Sequence, residues 1–559
     1  MKNHRIDPIQ PMFKRSASAL LLASLLSACS HPHSDKSEAA IKTPPTAQQD
    51  RHMSEESLLQ QPAVAMQKHA TMGRVANTSV PLLHPPLPVV ETNRERYASF
   101  DSNPIKRSRD EPVSTFSLDV DSGSYAVVRR HIQHGQLPPR DAVRVEELVN
   151  YFNYQYPTAQ SLERPFTFDT ELSVSPWHPQ RQLLRVSLAA WKQPMAQLPP
   201  SNLVFLVDVS GSMQAADKLP LLKSSLKLLV QQMRPQDSVS LVTYAGQSAV
   251  VLEPTKGDNK RAIFNAIDAL GAGGGTHGAA GLKDAYQLAE THKVENGINR
   301  VLLATDGDFN VGLSDTESLS EYIELKRKTG ISLTTLGFGQ GNYNDHLMEQ
   351  LADKGDGNYA YIDSLTEAKK VLMEQVGATL YTVAKDAKIQ VEFNPATVSE
   401  YRLIGYENRL LRAQDFSNDK VDAGDIGAGH TVTALYDIAL LGSSGEQLPK
   451  RRYSNTEPTP NNHRDELAWV KLRYKPHGAT NSTLLEHKIT DKQVASASID
   501  TRFSSAVAAW GQWLRQDSTT DSLSIKQIIE LAESGKGEDK QGYRSEFIQL
   551  AKLSASLKD

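Results

Sequence analysis

Asp208, Ser210 and Ser212 stand at alternate positions in the stretch LVFLVDVSGSM, residues 203–213, so one turn of chain can bring three small oxygen-bearing side chains together. Gly211 gives that turn room. Serine hydroxyls with a few carboxylates make a hard, mostly neutral oxygen site, which suits Mg2+ first, or Mn2+ or Ca2+, far better than zinc. One short loop cannot fill an octahedron, so further oxygens must arrive from elsewhere. Two positions offer them: Thr276, directly after the glycine-rich run GAGGG, and Asp306, which closes the apolar run of VLLATDGD.

The elements that must position these groups are readable from hydrophobic pattern. Residues 203–207 are five consecutive apolar residues, the signature of a strand covered on both faces. Residues 301–305, four apolar residues and a threonine, read as a second such strand. Ligands of open α/β sheets sit outside the carboxyl ends of the strands, so Asp208 and Asp306 are expected at one rim, on strands side by side or nearly so. Helical periods at residues 222–233, 260–270, 279–292, 317–328, 345–353 and 365–380 alternate with strand patterns at 238–244, 249–253, 332–338 and 358–362. This alternation predicts an α/β fold with a doubly wound, mostly parallel sheet over residues 200–380.

Asp-x-Ser-x-Ser after an apolar strand, Thr in a glycine-rich loop and Thr-Asp-Gly after another strand together resemble the metal ion-dependent adhesion site (MIDAS) of a von Willebrand factor type A (VWA) domain. The resemblance implies that Asp208, Ser210, Ser212, Thr276 and Asp306 bind a divalent cation. It also implies that the serines and the threonine contact the ion directly or nearly so, that the aspartates act partly through water, and that one position stays open for a partner's Asp or Glu. The opposing reading is a loop that kept its shape and lost the ion. His277 is expected to face solvent, and Asp308 and Asn310 to tune the site's surroundings or simply turn the chain. The glycine run lacks the Gly-Lys-Ser/Thr ending of a phosphate loop, so no nucleotide is expected.

A chain of 559 residues has material for several domains. Its formal net charge of -4 gives no basic excess to argue for nucleic acid. Lys14 and Arg15 precede a short apolar run ending Leu26-Ser27-Ala28-Cys29, too short to span a membrane and shaped like an export signal. Cys29 is the sole cysteine, so the mature chain forms no internal disulfide. Leu-Ser-Ala-Cys resembles the lipobox of bacterial lipoproteins, which implies a signal peptide at 1–28 and a lipidated Cys29 anchoring the protein in the cell envelope. Ser30, where Asp would retain an inner-membrane address, implies the outer membrane if the cell is diderm. Residues 29–90, polar and broken by prolines, read as a flexible tether.

Residues 91–165 change character, with a strand pattern at 116–120 and amphipathic helices at 124–132 and 141–152. This text resembles the N-terminal extension of the YfbK-like group of bacterial VWA lipoproteins. Asp119-Val-Asp121 also evokes the opening motif of haloacid dehalogenase phosphatases, but without convincing partners for it the favoured reading is a strand-to-helix turn capped by Asp121 or Ser122. Strand patterns at 166–174 and 183–191 precede the VWA segment, and others at 387–393, 400–404, 430–438 and 467–474 follow it. They predict a discontinuous β-sandwich, residues 166–195 and 381–480, into which the VWA domain is inserted. Residues 481–559 read as a helical region, with Trp510 and Trp513 in its core. No Ser-His-Asp, Cys-His or His-Glu-x-x-His arrangement occurs at motif spacing. The expected function is therefore that of a non-enzymatic, envelope-anchored module that binds a protein partner through its ion. A structural envelope component with a vestigial site, and a hydrolase in which the ion activates water, are the alternatives.

Overall fold

The computed structural model describes residues 94–118, 120–275, 278–307, 316–449, 451–452, 463–517 and 522–558. Cys29, the tether, Asp119, Thr276, His277, Asp308 and Asn310 lie outside the described residues. Among the described residues no helix is long and apolar enough to cross a membrane.

In chain order come β1 (Lys106–Arg107), β2 (Val113–Ser117), α1 (Gly123–Gln133), α2 (Val145–Asn150), β3 (Phe166–Val174) and β4 (Gln182–Ala190). The VWA segment then runs through β5 (Ser201–Asp208), α3 (Leu219–Gln232), β6 (Ser238–Tyr244), β7 (Ser248–Lys256), α4 (Lys260–Asp268), α5 (Gly278–Thr291), β8 (Ile298–Thr305), α6 (Thr316–Arg327), β9 (Ser332–Phe338), α7 (Asp345–Lys354), β10 (Tyr359–Ile362), α8 (Leu365–Lys369) and α9 (Val376–Leu380). After it follow β11 (Thr382–Phe393), β12 (Val398–Ile404), β13 (Ile426–Gly427), β14 (Thr431–Leu440), β15 (Glu466–Pro476), β16 (Thr483–Thr490), α10 (Ile499–Leu514), α11 (Ile525–Gly535) and α12 (Tyr543–Lys558).

The VWA sheet has the order β10-β9-β8-β5-β6-β7. Every pair is parallel except β6 and the edge strand β7. All residues of β5 and β8 are buried, and each carries an apolar run, residues 203–207 and 301–304, flanked by polar residues. These two strands are hydrogen-bonded neighbours, with Val207 opposite Ala304.

Strands from before and after the VWA segment share one antiparallel sheet, ordered β1-β12-β14-β4-β3, while β13-β11-β15-β16 form a second, with β2 on β11. The chain thus leaves the first sheet at β4, builds the VWA domain, enters the second sheet at β11 and rejoins the first at β12. The pattern for β16 was not expected, because much of that strand is exposed and offers little apolar alternation.

Three expectations are corrected. The helix expected at 141–152 is only α2, preceded by a 3-10 turn at Arg140–Ala142. The helix expected at 365–380 is broken by a π-helical turn, Lys370–Glu374. Ser122 is the residue before α1, yet it makes no side-chain cap; Glu147 Oε2 accepts from Ser124 N instead (2.8 Å). Asp121 is spent elsewhere, its Oδ1 accepting from Tyr359 N (3.0 Å), so that it satisfies a backbone donor of the sheet's edge strand β10.

Buried ion pairs join the flanking regions to the VWA domain. Arg129, 1% exposed, donates from Nε to Asp363 (2.8 Å), from Nη2 to Glu367 (2.7 Å), and from Nη1 to Glu546 and the Tyr151 hydroxyl (both 3.1 Å). Arg144 pairs with Glu147 and, at 2.5 Å, with Asp345 Oδ2. The Lys370 ammonium lies 3.2 Å from the centroid of the Tyr151 ring. In the helical region Trp510 is fully buried and donates to Ser554 Oγ (3.0 Å), whereas Trp513 is half-buried beneath Lys558.

Candidate functional site

β5 ends in Asp208 and hands the chain to a tight 3-10 turn, Gly211–Gln214. Asp208 is fully buried and its carboxylate is already engaged. Oδ1 accepts from Ser210 N (2.9 Å), and Oδ2 accepts from the hydroxyls of Thr305 (2.9 Å) and Tyr244 (3.2 Å). Thr305 and Tyr244 end the two strands flanking β5, so the sheet register itself delivers both donors. Burial pushes the Asp208 carboxyl above its usual range; hydrogen bonds from Ser210 oppose this and the nearby negative charge of Asp306 adds to it. Burial also drives the Tyr244 phenol well up, with Asp208 reinforcing the effect.

The hydroxyls of Ser210 and Ser212 lie 3.0 Å apart, Ser210 buried and Ser212 exposed. Two oxygens each ~2.1 Å from an octahedral ion, at right angles, are themselves ~3.0 Å apart. The two hydroxyls are hydrogen-bonded to each other at this distance, a spacing that adjacent ligands of a Mg2+-sized ion would also have, and with two carboxylates nearby the donor set is all oxygen. Among the described residues no three His, Cys, Asp or Glu side chains cluster as a metal site. A MIDAS-like set would not register as such a cluster, since it combines hydroxyls with only two acids.

The glycine-rich loop is stitched to this turn: Gly273 N donates to Val209 O (2.7 Å) and Gly211 N to Gly274 O (3.1 Å). Gly274 has φ +89°, a conformation that costs little only for glycine. Gly211, by contrast, stays out of the left-handed region, and a Cβ there would meet Gly274 O at an ordinary 3.6 Å. Gly211 thus opens the tight turn without needing glycine's backbone freedom, which Gly274 uses in the loop packed against it. Thr276 lies two residues further on, outside the described residues.

Asp306 follows Thr305 at the same rim, 1% exposed. Its Oδ2 accepts from Lys218 Nζ (2.9 Å), a residue that sequence reasoning did not single out. The available signal was a lysine immediately before the Leu219-Pro220 helix start, but contact with Asp306 depends on tertiary placement. Tyr244 and Thr305 were read only as strand ends. A groove of about 420 Å3 opens beside the turn, lined by Met213, Gln214, Leu219, Lys223, Leu270 and Ala272.

Comparison with known proteins covers nearly all of the described chain. The von Willebrand factor type A domain family matches residues 202–375, a family described as "von Willebrand factor" matches residues 91–185, and one described as "Uncharacterized protein YfbK, C-terminal" matches residues 378–557. The protein YfbK of Escherichia coli (strain K12) is 48% identical over 471 residues, 83% of this chain and 82% of that protein. Human inter-alpha-trypsin inhibitor heavy chain H3 is 28% identical over 363 residues, which span 63% of this chain but only 35% of that protein. Among solved structures, a von Willebrand factor type A protein from Catenulispora acidiphila matches at 16% identity over 69% of this chain and 89% of its own, with a TM-score of 0.39. With its parallel sheet centred on β5 and β8, the match over residues 202–375 and 48% identity to YfbK across most of both chains, this protein belongs to the bacterial VWA family of YfbK-like proteins.

Proposed function

We propose that this protein is an envelope-anchored, divalent-cation-dependent binding lipoprotein that recruits an acidic side chain of a protein partner. A VWA domain points to protein interaction or adhesion, and the finer reading is carried by one observation, the 3.0 Å separation of the Ser210 and Ser212 hydroxyls. These two hydroxyls, with Thr276, would hold Mg2+, or Mn2+ or Ca2+. Asp208 turns both carboxylate oxygens toward protein donors, which suits a group acting on the ion through water. A bound ion would supply an electropositive coordination position for a partner's Asp or Glu. The groove beside the turn is lined by Leu219 and Leu270 together with Lys223, Lys227 and Asp268, and would take the side chains flanking that acid. Lipidated Cys29 would fix the module to a membrane, the outer one in a diderm cell, with residues 29–90 as tether.

The test is calorimetric titration of the protein with Mg2+ and Mn2+, beside the variant Asp208→Ala. Saturable binding by the parent that the variant lacks supports the reading; equal affinity in both overturns it. The ammonium of Lys218 on Asp306 favours a second reading, a structural envelope component whose site no longer takes an ion. Absence of Mg2+ and Mn2+ binding by the parent would select it.

A further inference from the structure

We propose that the cleft where the VWA segment joins the two antiparallel sheets is a second binding site, one that takes a small organic anion, a carboxylate on an apolar body. The chain runs from this cleft into β5 at Ser201, the end of that strand opposite Asp208. The inference uses none of the five oxygen donors and does not depend on an ion.

The cleft has a volume of about 390 Å3, inside the ~300–1,000 Å3 range of small-molecule sites. Four separate segments wall it. Tyr154 and Tyr156 come from the N-terminal extension, Met195 from the connection between β4 and β5, Met373 from the return toward β11, and the turn before β14 closes the fourth side at Gly429. Both crossings of the chain, out to the VWA domain and back, therefore face one space. The turn is stitched to each of them: Gly429 N donates to Trp191 O and Ala428 N to Tyr381 O, both at 2.9 Å.

The polar atoms of these walls are largely spent on the protein itself. The Tyr154 hydroxyl donates to Val149 O (2.8 Å), and the Tyr156 hydroxyl shares a hydrogen bond with Thr433 Oγ1 (2.9 Å). Asn150 donates to the Tyr406 hydroxyl (2.9 Å) and accepts from Thr433 N (2.8 Å). A hydrocarbon body laid against them strands no buried donor, and side chains already fixed lose little freedom when it arrives.

Charge decides which end of a ligand this cleft selects. Glu374 lines it but is engaged, accepting from the Tyr543 hydroxyl (3.0 Å) with Lys369 Nζ at 3.5 Å. His430 Nδ1 accepts from Gly427 N (3.3 Å). Lys192 is different. Its stem lies along Gly429, where a Cβ would come 3.1 Å from Lys192 Cγ, and among the described residues its ammonium has no ion pair or hydrogen bond. An uncommitted cation beside apolar walls favours a ligand with one negative group and an apolar remainder.

Calorimetric titration of the full chain with probes that share one body and differ in charge tests this: phenylbutyrate, phenylbutanamide and phenylbutylamine. The acid should bind saturably at one site and raise the melting temperature. The amide should bind about fivefold or more weakly, the worth of one partly screened ion pair, and the amine more weakly still. Lys192→Glu, at an exposed position, should keep the parent's melting temperature and prefer the amine to the acid. Gly377→Trp should abolish binding of every probe, because Gly377 lines the cleft and a Cβ there meets nothing within 4 Å. Absence of saturable binding of the acid by the parent overturns the inference. So does equal affinity for the acid in the parent and Lys192→Glu, a comparison that stands even if Gly377→Trp fails to fold. Retention of the acid by a folded Gly377→Trp places binding elsewhere and overturns it too.

Discussion

Replacing Lys370 with methionine should stabilise the protein at neutral pH, the reverse of the usual result at a fully buried position. No acceptor lies within hydrogen-bond distance of its Nζ among the described residues; the ammonium instead rests on the Tyr151 ring at 3.2 Å, with the Tyr543 ring at 5.9 Å. Burial pushes the amine from its ordinary 10.5 down to about 8, Glu367, Glu374 and Glu546 pulling it back up and Arg129 adding to the fall. A folded-state value below the unfolded one means that the folded chain binds fewer protons between about pH 8 and 10.5, so stability rises with pH through that window. Below it, holding the amine charged costs the fold about 3 kcal/mol. Methionine fits the unbranched space and can lay its sulfur against Tyr151. Glu367 keeps Arg129 and the Tyr151 hydroxyl as partners. Loss of the cation–π contact returns about 1–2 kcal/mol, which leaves a net gain of about 1–2 kcal/mol at pH 7. Urea unfolding followed by far-ultraviolet circular dichroism measures it, and the comparison between parent and variant cancels the titration of the two tyrosines. The gain should fade by about pH 10. A variant less stable than the parent at pH 7, or one whose stability climbs with pH as steeply, would refute the reasoning.

Asp208→Ala should weaken Mn2+ binding by about a hundredfold or more in calorimetry while retaining the parent's far-ultraviolet dichroism. It should also cost about 1–3 kcal/mol of stability in EDTA, because the buried Tyr244 and Thr305 hydroxyls lose their acceptor. Ser212→Ala removes an exposed hydroxyl, so Mn2+ affinity should fall roughly tenfold with stability within about 0.5 kcal/mol of the parent; a drop in melting temperature without loss of Mn2+ affinity would assign Ser212 to the turn instead of the ion. Cys29→Ser should move the protein from the membrane pellet to the soluble fraction, and continued pelleting would indicate a different anchor.

What the sequence discloses about this protein divides along a physical line. β5 and β8 are covered on both faces, so the middle of each is written as an apolar run, and the strands Ser238–Tyr244 and Ser332–Phe338 fall where their patterns place them. Asp208, Ser210 and Ser212 are legible because they lie within five residues of one another, and Asp306 because it ends the adjacent strand. Lys218 is 88 positions from Asp306, and no local pattern distinguishes it from a lysine on a solvated helix face.

The same blindness extends to the flanking regions, where it matters more. α1 reads as amphipathic, yet every residue from Gly123 to Ile132 is buried. Arg129 and Arg130 point into the VWA domain, and the three acids that receive Arg129 come from two separate regions: Asp363 and Glu367 at the end of the VWA segment, and Glu546 in α12. Burying such a set adds little net stability, but removing one partner strands the others, at about 3–5 kcal/mol. A VWA segment cut at its sequence boundaries would therefore keep the Asp208 turn and lose the groups that neutralise Asp345, Asp363 and Glu367. It would also lose Asp121, the acceptor for an edge donor of β10, and the Arg130 brace on Gly339. The extension and the C-terminal helices are thus parts of one electrostatic unit with the VWA sheet.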